Sequence, residues 1–223
     1  MSPAHSCDAL PNPRRRTLVR LWPLALGALL LAAALQGWRH LPPTWRIQLD
    51  HEAVSFLTDA PVLLLGDSIT YANGPLALCD AAVFNAAVPG ARLKDVLSQG
   101  PRLAERVQPT QIVVAIGVND AIMPHGSIED WSAQYRSLVT ALPASDLVLV
   151  EINPVDARFP LVARSFDQDF IARQNRVIRE TAARSGARLV PAPAAAETFD
   201  GLHPDHAGAA LWRARLTREA CGR

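Results

Sequence analysis

Four short groups of polar residues and glycines each follow an apolar run that has the length of a β-strand. Gly-Asp-Ser at 66–68 comes directly after the apolar run at 62–65. A second group ends at Gly90, a third contains Asn119, and a fourth is Asp-Gly-Leu-His at 200–203. Because parallel strands in open α/β sheets place functional residues at their carboxyl ends, we expect the four groups to meet at one edge of a sheet.

These residue types are the ones that acyl transfer needs. The hydroxyl of Ser68 is a weak nucleophile until a base takes its proton, and His203 is the candidate base. Asp200, three residues before the histidine, is the candidate for orienting the imidazole and stabilising its cation. A tetrahedral intermediate needs fixed donors for its negative oxygen. The backbone N–H groups of Ser68 and Gly90 and the side-chain amide of Asn119 are the candidates.

Each of these residues also has a non-catalytic interpretation. Ser68 and Gly90 would then be ordinary turn residues, and Asn119 would cap a strand end, where Asn is common. Asp200 would cap the helix that is predicted to close the chain, and His203 would be a surface histidine. The residues alone leave these alternatives open.

The order of the four groups resembles the SGNH, or GDSL-type, hydrolase family. The matching residues are Gly-Asp-Ser-Ile at 66–69, Asn-x4-Gly at 85–90, Gly-x-Asn-Asp at 117–120 and Asp-x-x-His-Pro at 200–204. The resemblance covers the chain from about 58 to 220. Each group is short, but all four occur in the family's order.

The resemblance implies a serine hydrolase that uses no metal and no cofactor. It implies that Ser68 is the nucleophile and that Asp200 and His203 complete a catalytic triad. It also implies an oxyanion hole formed by Ser68, Gly90 and Asn119.

Apolar runs and helix-like segments alternate from about residue 50 onward. The apolar runs are continuous, which indicates strands covered on both faces, as in a parallel sheet. The pattern predicts an α/β fold, namely a three-layer α/β/α sandwich around one parallel five-stranded sheet. The resemblance implies the flavodoxin-like version of it. The predicted strands are 61–66, 81–87, 111–117, 146–152 and 187–192, and the predicted helices are 92–107 (broken at its Gly-Pro), 127–142, 165–186 and 204–220.

The first fifty residues carry a membrane-targeting pattern. An uncharged apolar stretch at 21–38 follows a basic segment at 14–20, and such basic flanks stay in the cytoplasm. One interpretation is an uncleaved transmembrane signal anchor, since about 18 apolar residues just span a bilayer. The other is a cleaved signal peptide with Ala32 and Ala34 at its cleavage site. Both interpretations export the rest of the chain.

These interpretations divide the chain into four segments. Residues 1–20 form a cytoplasmic basic region, 21–38 the transmembrane signal anchor or signal peptide, 39–57 a juxtamembrane connector, and 58–223 the hydrolase domain. The predicted location is the cell inner membrane, crossed once, with the domain on the periplasmic or extracytoplasmic side. Secretion after cleavage is the alternative.

Composition and cysteine spacing narrow the possible partners. The formal net charge is +1, and the arginines are scattered, so a nucleic-acid partner is not expected. Cys7, Cys79 and Cys221 form no C-x-x-C pair, which disfavours a structural zinc site. Cys79 and Cys221 are predicted to share a compartment, and both a disulfide and two free thiols remain open. His206 and His203 form H-x-x-H, but no second cluster completes a metal site.

The predicted function is that of an exported serine esterase that cleaves carboxylic esters through an acyl-enzyme. The expected substrate is a small-molecule, lipid or glycan ester, as for lysophospholipases, acyl-thioesterases or carbohydrate O-deacetylases of the family. The segment 153–164 is the longest irregular loop and is the candidate specificity element. The alternative is a catalytically idle envelope protein that binds lipid or glycan with the same fold.

Overall fold

A computed structural model describes residues 13–143 and 146–222, with side chains described from residue 22 onward. The chain divides into two units, Met1–Arg46 and Ile47–Arg223. The first unit contains helix α1, Pro13–His40. Across the part of the chain that the structure describes, no helix is both long enough and apolar enough to cross a membrane. The predicted segment at 21–38 is helical, but its prediction as a transmembrane span is not confirmed.

The segment predicted as a juxtamembrane connector contains a second helix. Helix α2 spans Pro43–Val54 and starts at a proline, which is favoured in a first helical turn because its missing N–H is not needed there. Glu52 on this helix pairs with Arg102, at 2.5 Å, and with Arg106. The second unit therefore includes residues before the predicted domain boundary at residue 58.

The second unit is built on a six-stranded sheet with the strand order β2-β3-β1-β4-β5-β6. Five of the strands are parallel neighbours, and they correspond to the five predicted strands. In their own chain order these five are arranged 2-1-3-4-5, which is the order of flavodoxin-like folds. The strands are β1 (Val62–Gly66), β2 (Ala77–Leu78), β3 (Ala81–Asn85), β4 (Gln111–Ala115), β5 (Asp146–Val150) and β6 (Arg188–Val190).

The prediction of five strands was wrong by one, because β2 adds a short antiparallel edge to the sheet. It pairs with β3 across a tight turn in which Cys79 and Asp80 both have positive φ angles, 53° and 63°. Positive φ at both central residues is the geometry of a type I′ hairpin turn. Two residues are too few to show a hydrophobic period, so the sequence pattern gave no signal for this strand.

The helices of the second unit fall into two groups by their contacts. Helix α4 packs on α5 and α5 on α7, whereas α3 contacts α8. These groups are what a three-layer sandwich requires, and β1 and β4 between them have residues such as Leu63, Leu64 and Val113 with no exposed surface. The helices are α3 (Ser68–Asn73), α4 (Leu93–Val107), α5 (Ile128–Ala141), α6 (Pro160–Ala163), α7 (Gln168–Ser185) and α8 (His206–Cys221).

Helix α4 is continuous, although its Gly-Pro pair predicted a break. Pro101 lies inside the helix and cannot donate to the carbonyl one turn before it. A residue before proline avoids the helical region mainly because its Cβ and N–H meet the proline ring. Gly100 has no Cβ, which removes part of this conflict and lets the helix continue.

A disulfide joins Cys79 to Cys221, with their Cα atoms 5.3 Å apart. It links the β2–β3 turn to the last residue of α8, and the two cysteines are separated by 142 positions in the chain. Of the two alternatives that the sequence left open, the structure has the bonded pair. Such a long closed loop strongly restricts the unfolded chain.

We expect loss of this disulfide to lower the free energy of unfolding by about 2–4 kcal/mol. The measurement is urea unfolding of the oxidised protein, of the protein in reductant, and of Cys79→Ser. Cys7→Ser is the matched control and should unfold like the wild type. Thiol titration of the denatured protein should find one free thiol, and a result of three would contradict the assignment.

Candidate active site

Ser68 is the first residue of helix α3, directly beyond the carboxyl end of β1. Asp67 caps this helix, because its Oδ1 accepts a hydrogen bond of 3.0 Å from the N–H of Ile69. The N–H of Ser68 lies in the first turn, where backbone donors have no acceptor within the helix. The serine therefore carries both a side-chain hydroxyl and an available backbone donor at the edge of the sheet.

Burial raises the pKa of Asp67 to about 7, although the hydrogen bond from Ile69 and the nearby His203 act in the opposite direction. Asp67 is 3% exposed, and it lies close enough to Asp120 for the two carboxylates to repel each other when both are charged. The role of Asp67 is to hold the turn that presents Ser68. The carboxylate that is hydrogen-bonded to His203 is that of Asp200.

His203 lies between Ser68 and Asp200. Its Nε2 is 3.0 Å from Ser68 Oγ, and its Nδ1 is 2.7 Å from Asp200 Oδ2. The other carboxylate oxygen, Asp200 Oδ1, accepts from the backbone N–H groups of His203 at 2.7 Å and Leu202 at 2.9 Å. A carboxylate on Nδ1 favours the tautomer that carries its proton there, which leaves Nε2 free to accept from the serine.

The surroundings of Asp200 keep it ionised. Partial burial alone would raise the pKa of this carboxyl, but the hydrogen bonds from the side chain and backbone of His203 and from Leu202 hold it below its ordinary value. Both side chains of the Asp200–His203 pair remain partly exposed, so water has access to the imidazole. Asp205, and not Asp200, caps helix α8, which removes the alternative interpretation of Asp200 as the helix cap.

Gly90 and Asn119 lie on the two loops that flank Ser68, since β1 lies between β3 and β4. Gly90 is exposed with φ +77°, a conformation that favours glycine, and an added Cβ would meet no atom within 4 Å. Asn119 is 7% exposed, and its Nδ2 donates to the carbonyl of Ala91 at 3.0 Å. This bond uses one of the two hydrogens of the amide and fixes the direction of the other.

A second hydrogen bond joins the same two loops, and sequence reasoning did not find it. Asp120 Oδ2 accepts from the N–H of Leu93, the first residue of α4, at 3.0 Å. Burial raises the pKa of Asp120 to about 6, against the lowering effect of that hydrogen bond. The Gly90 and Asn119 loops are therefore tied to each other twice. The signal in the sequence was the Asp that follows Asn119, whose partner only the fold reveals.

Asn85 and His125 have hydrogen-bond partners outside the triad, and His206 is at the surface. Asn85 is bonded to helix α3, since its Nδ2 donates to the carbonyls of Thr70 and Tyr71 at 3.0 and 3.3 Å. His125 is bonded to Asp167 at 2.9 Å, and His206 is exposed in the first turn of α8. Over residues 13–143 and 146–222, no group of three or more His, Cys, Asp or Glu side chains is arranged to hold a metal ion.

A family model for the GDSL-like lipase/acylhydrolase family matches residues 64–211 of the chain. The chain belongs to this family. It is accordingly an ester hydrolase, and the match extends from within β1 into α8, so that it includes all four groups of site residues. A search of curated proteins gave no match.

Solved structures similar to this GDSL-like hydrolase share its fold at low sequence identity. A lipase/acylhydrolase from Enterococcus faecalis is 22% identical, with a TM-score of 0.62 over 73% of this chain and 96% of that one. A protein described as a putative platelet activating factor from Streptococcus pneumoniae is 18% identical, with a TM-score of 0.67 over 88% and 99%. A catalytic mutant of an acetylxylan esterase from Geobacillus stearothermophilus is 18% identical, with a TM-score of 0.56 over 73% and 94%.

Asp67→Asn in this hydrolase should flatten the dependence of folding stability on pH. The folded carboxyl has a pKa of about 7, against 3.8 for an ordinary aspartate, so between these values it keeps a proton that the unfolded chain releases. Raising the pH through this window therefore destabilises the folded state, by at most about 1.4 kcal/mol per pH unit. Asparagine keeps the oxygen that caps α3 but has no proton to release.

Urea unfolding at several pH values between 4.5 and 7.5 measures this slope for both proteins. Asp120, with its pKa of about 6, contributes in the same direction, so the variant should keep a smaller slope rather than none. Identical slopes for the two proteins would contradict the assignment of a neutral, buried Asp67.

Proposed function

We propose that this protein is an exported serine esterase in which Ser68 attacks the carbonyl carbon of a carboxylic ester. The observation that carries the proposal is the hydrogen-bonded series Ser68 Oγ–His203 Nε2–His203 Nδ1–Asp200 Oδ2, with distances of 3.0 and 2.7 Å. A nucleophile, a base and a group that orients the base, all within hydrogen-bond distance, are the arrangement that activates a serine.

In the first half-reaction the ester is cleaved and the serine is acylated. The Ser68 hydroxyl transfers its proton to His203 Nε2 as its oxygen bonds to the carbonyl carbon. Asp200, held ionised by its hydrogen bonds, stabilises the resulting imidazolium. The tetrahedral intermediate then breaks its bond to the alcohol oxygen, which takes the proton from Nε2 and leaves.

In the second half-reaction water takes the place of the alcohol. His203 accepts a proton from the water as the water oxygen attacks the acyl carbon, and the proton returns to Ser68 when the acid departs. The partial exposure of the His203 and Asp200 side chains gives water a path to this position.

The negative oxygen of both tetrahedral intermediates would be held by the N–H groups of Ser68 and Gly90 and the side-chain amide of Asn119. Support comes from the strand order, which puts the three residues on adjacent loops, and from the two hydrogen bonds that tie the Gly90 and Asn119 loops together. Donors that are fixed before the reaction need no reorganisation when the charge develops.

The substrate class that we propose is a lipid or glycan ester with an accessible acyl group. An exposed aromatic ring, that of Phe199, lies next to the His203 imidazole, with the ring centroids 5.9 Å apart. It offers an apolar surface to an acyl chain or to a sugar face. The acetylxylan esterase among the structural neighbours makes acetylated glycans a concrete candidate.

Export is supported by a disulfide and by the pattern of the N-terminal sequence. Disulfides persist in oxidising compartments, and Cys79 and Cys221 form one. The basic segment followed by an apolar stretch at the N-terminus is a targeting pattern. We propose that the domain acts on the extracytoplasmic side.

Ser68→Ala and His203→Ala should each lower kcat for p-nitrophenyl acetate and butyrate by about a thousandfold or more. The reason is that nucleophile and base act as one unit, so that losing either stops acylation. The assay is release of p-nitrophenol by the protein from residue 47 onward, and Ser165→Ala, an exposed serine that donates to Leu161 O, is the matched control. Ester hydrolysis that survives in Ser68→Ala would overturn the proposed function.

Asn119→Ala should lower kcat by roughly a hundredfold to a thousandfold with little change in KM, which is the usual effect of removing one oxyanion donor. Because Asn119 also bonds to Ala91 O, the melting temperature is measured in parallel. A variant that melts early but turns over at the wild-type kcat would show that the amide is only structural.

A further inference from the structure

The loop that carries Asp200 and His203 has to cross a large part of the sheet. This loop, residues 191–205, leaves β6 and ends at the start of α8. Ser68 follows β1, which is three strands away from β6 in the sheet order. At about 4.8 Å per strand the loop spans roughly 14 Å. Because it contains no helix and no strand apart from the bridge between Thr198 and Pro204, its position depends on contacts with its neighbours.

One such contact comes from the loop that follows β5, the strand between β4 and β6. The Oγ1 of Thr198 donates to Asp156 Oδ2 at 3.1 Å and accepts from the N–H of Gly201 at 3.2 Å. In the other direction, the N–H of Asp156 donates to the carbonyl of Gly201 at 2.8 Å. Asp156 is thus linked to the loop at two positions, which lie two and five residues before His203.

The two loops also pack closely at this point. Gly201 has a φ of +95°, and an added Cβ would lie 2.6 Å from Cβ of Phe159. Asp156 and Thr198 are 9% and 6% exposed. The contact is therefore sheltered from water. Hydrogen bonds to a charged group stabilise more in such a place than at the surface.

The negative charge of Asp156 is compensated by the neighbouring Arg158. Arg158 donates to the carboxylate through its Nε at 3.0 Å and through its terminal nitrogen at 2.8 Å, and it also reaches Glu197 at 3.3 Å. The hydrogen bonds from Arg158 lower the pKa of Asp156 to about 2, so the carboxylate is ionised at neutral pH. Arg158 thereby adds a second bridge to the loop, at Glu197.

We infer that Asp156 and Thr198 are positioning residues that hold the Asp200–His203 loop at the distance from Ser68 that proton transfer requires. The inference rests on the proposed function, since it concerns the same reaction. The hydrogen bonds of these two side chains are to each other, to Arg158 and to Gly201, and not to Ser68. They act through Gly201, which lies between Asp200 and His203 in the chain.

The test is Thr198→Val, which keeps the shape of the side chain and removes both hydrogen bonds of its hydroxyl. A displacement of the imidazole by a fraction of an ångström slows chemistry without changing binding, so kcat should fall by roughly tenfold to a hundredfold. KM for p-nitrophenyl acetate should stay within about twofold. Thr198→Ser keeps the hydroxyl and should recover most of the wild-type kcat.

Thr181→Val is the matched control, because it removes an equally buried threonine hydroxyl that bonds only to Val177 O within α7. It should lower the melting temperature with kcat unchanged. If Thr198→Val does not fold, the inference is tested with Asp156→Asn. The single amide oxygen of asparagine cannot accept from Thr198 Oγ1 and from Arg158 at the same time, as the carboxylate does. A smaller loss of kcat at unchanged KM is expected for this variant.

A folded Thr198→Val, or failing that a folded Asp156→Asn, with kcat within twofold of the wild type would overturn the inference and leave the proposed function standing. An equal loss of kcat in Thr181→Val would also overturn it, because the effect would then follow stability and not loop position. Wild-type protein without Ser68-dependent hydrolysis would overturn the proposed function, and this inference with it.

Discussion

The hydrogen bond between Ser68 Oγ and His203 Nε2 joins parts of the chain that are 135 residues apart. Its 3.0 Å length requires that Ser68 and His203 are both held in position. On one side, Asp67 caps the six-residue helix α3 and fixes the serine at the end of β1. On the other side, a long irregular loop has to bring His203 across from β6. The rest of the second unit keeps these two residues at a fixed distance from each other.

The sheet supplies the rigid part of this arrangement. The strands β1 and β4 are buried along almost their whole length, so the loops that follow them start from fixed points. The loops themselves are then joined by polar contacts: Asn119 to Ala91, Asp120 to Leu93, and Asp156 to Thr198. Each contact links loops that are separated in the chain but meet at the carboxyl edge of the sheet. The site therefore has a defined geometry although most of its residues lie outside helices and strands.

The sequence was sufficient for the elements that have a period or a local signal. The five apolar runs gave the five parallel strands, because residues buried on both faces must all be apolar. The helix predicted over 127–142 does begin after Ser127, which caps it, and the helix predicted over 165–186 does end at Gly186. The order of the four site groups was also readable, since three of them follow closely on a strand and the fourth lies on the loop that leaves β6.

Two kinds of feature could not be predicted from the sequence: contacts with a partner that is distant in the chain, and very short elements. Strand β2 has only two residues, and the Gly100–Pro101 pair gave a false break because proline usually ends a helix. The pairing of Cys79 with Cys221 was open until the fold brought their Cα atoms to 5.3 Å. Asp156 looked like an ordinary loop residue, since nothing near it in the chain indicates that Thr198 is its partner.

The central claim is that Ser68 is a nucleophile activated by His203, and covalent trapping tests it most directly. The protein is incubated with a fluorophosphonate, digested, and examined by mass spectrometry. The account predicts one adduct per chain, located on Ser68 in wild-type protein and reduced to background in His203→Ala. An adduct on another residue, or ester hydrolysis that continues after Ser68 is fully modified, would contradict it.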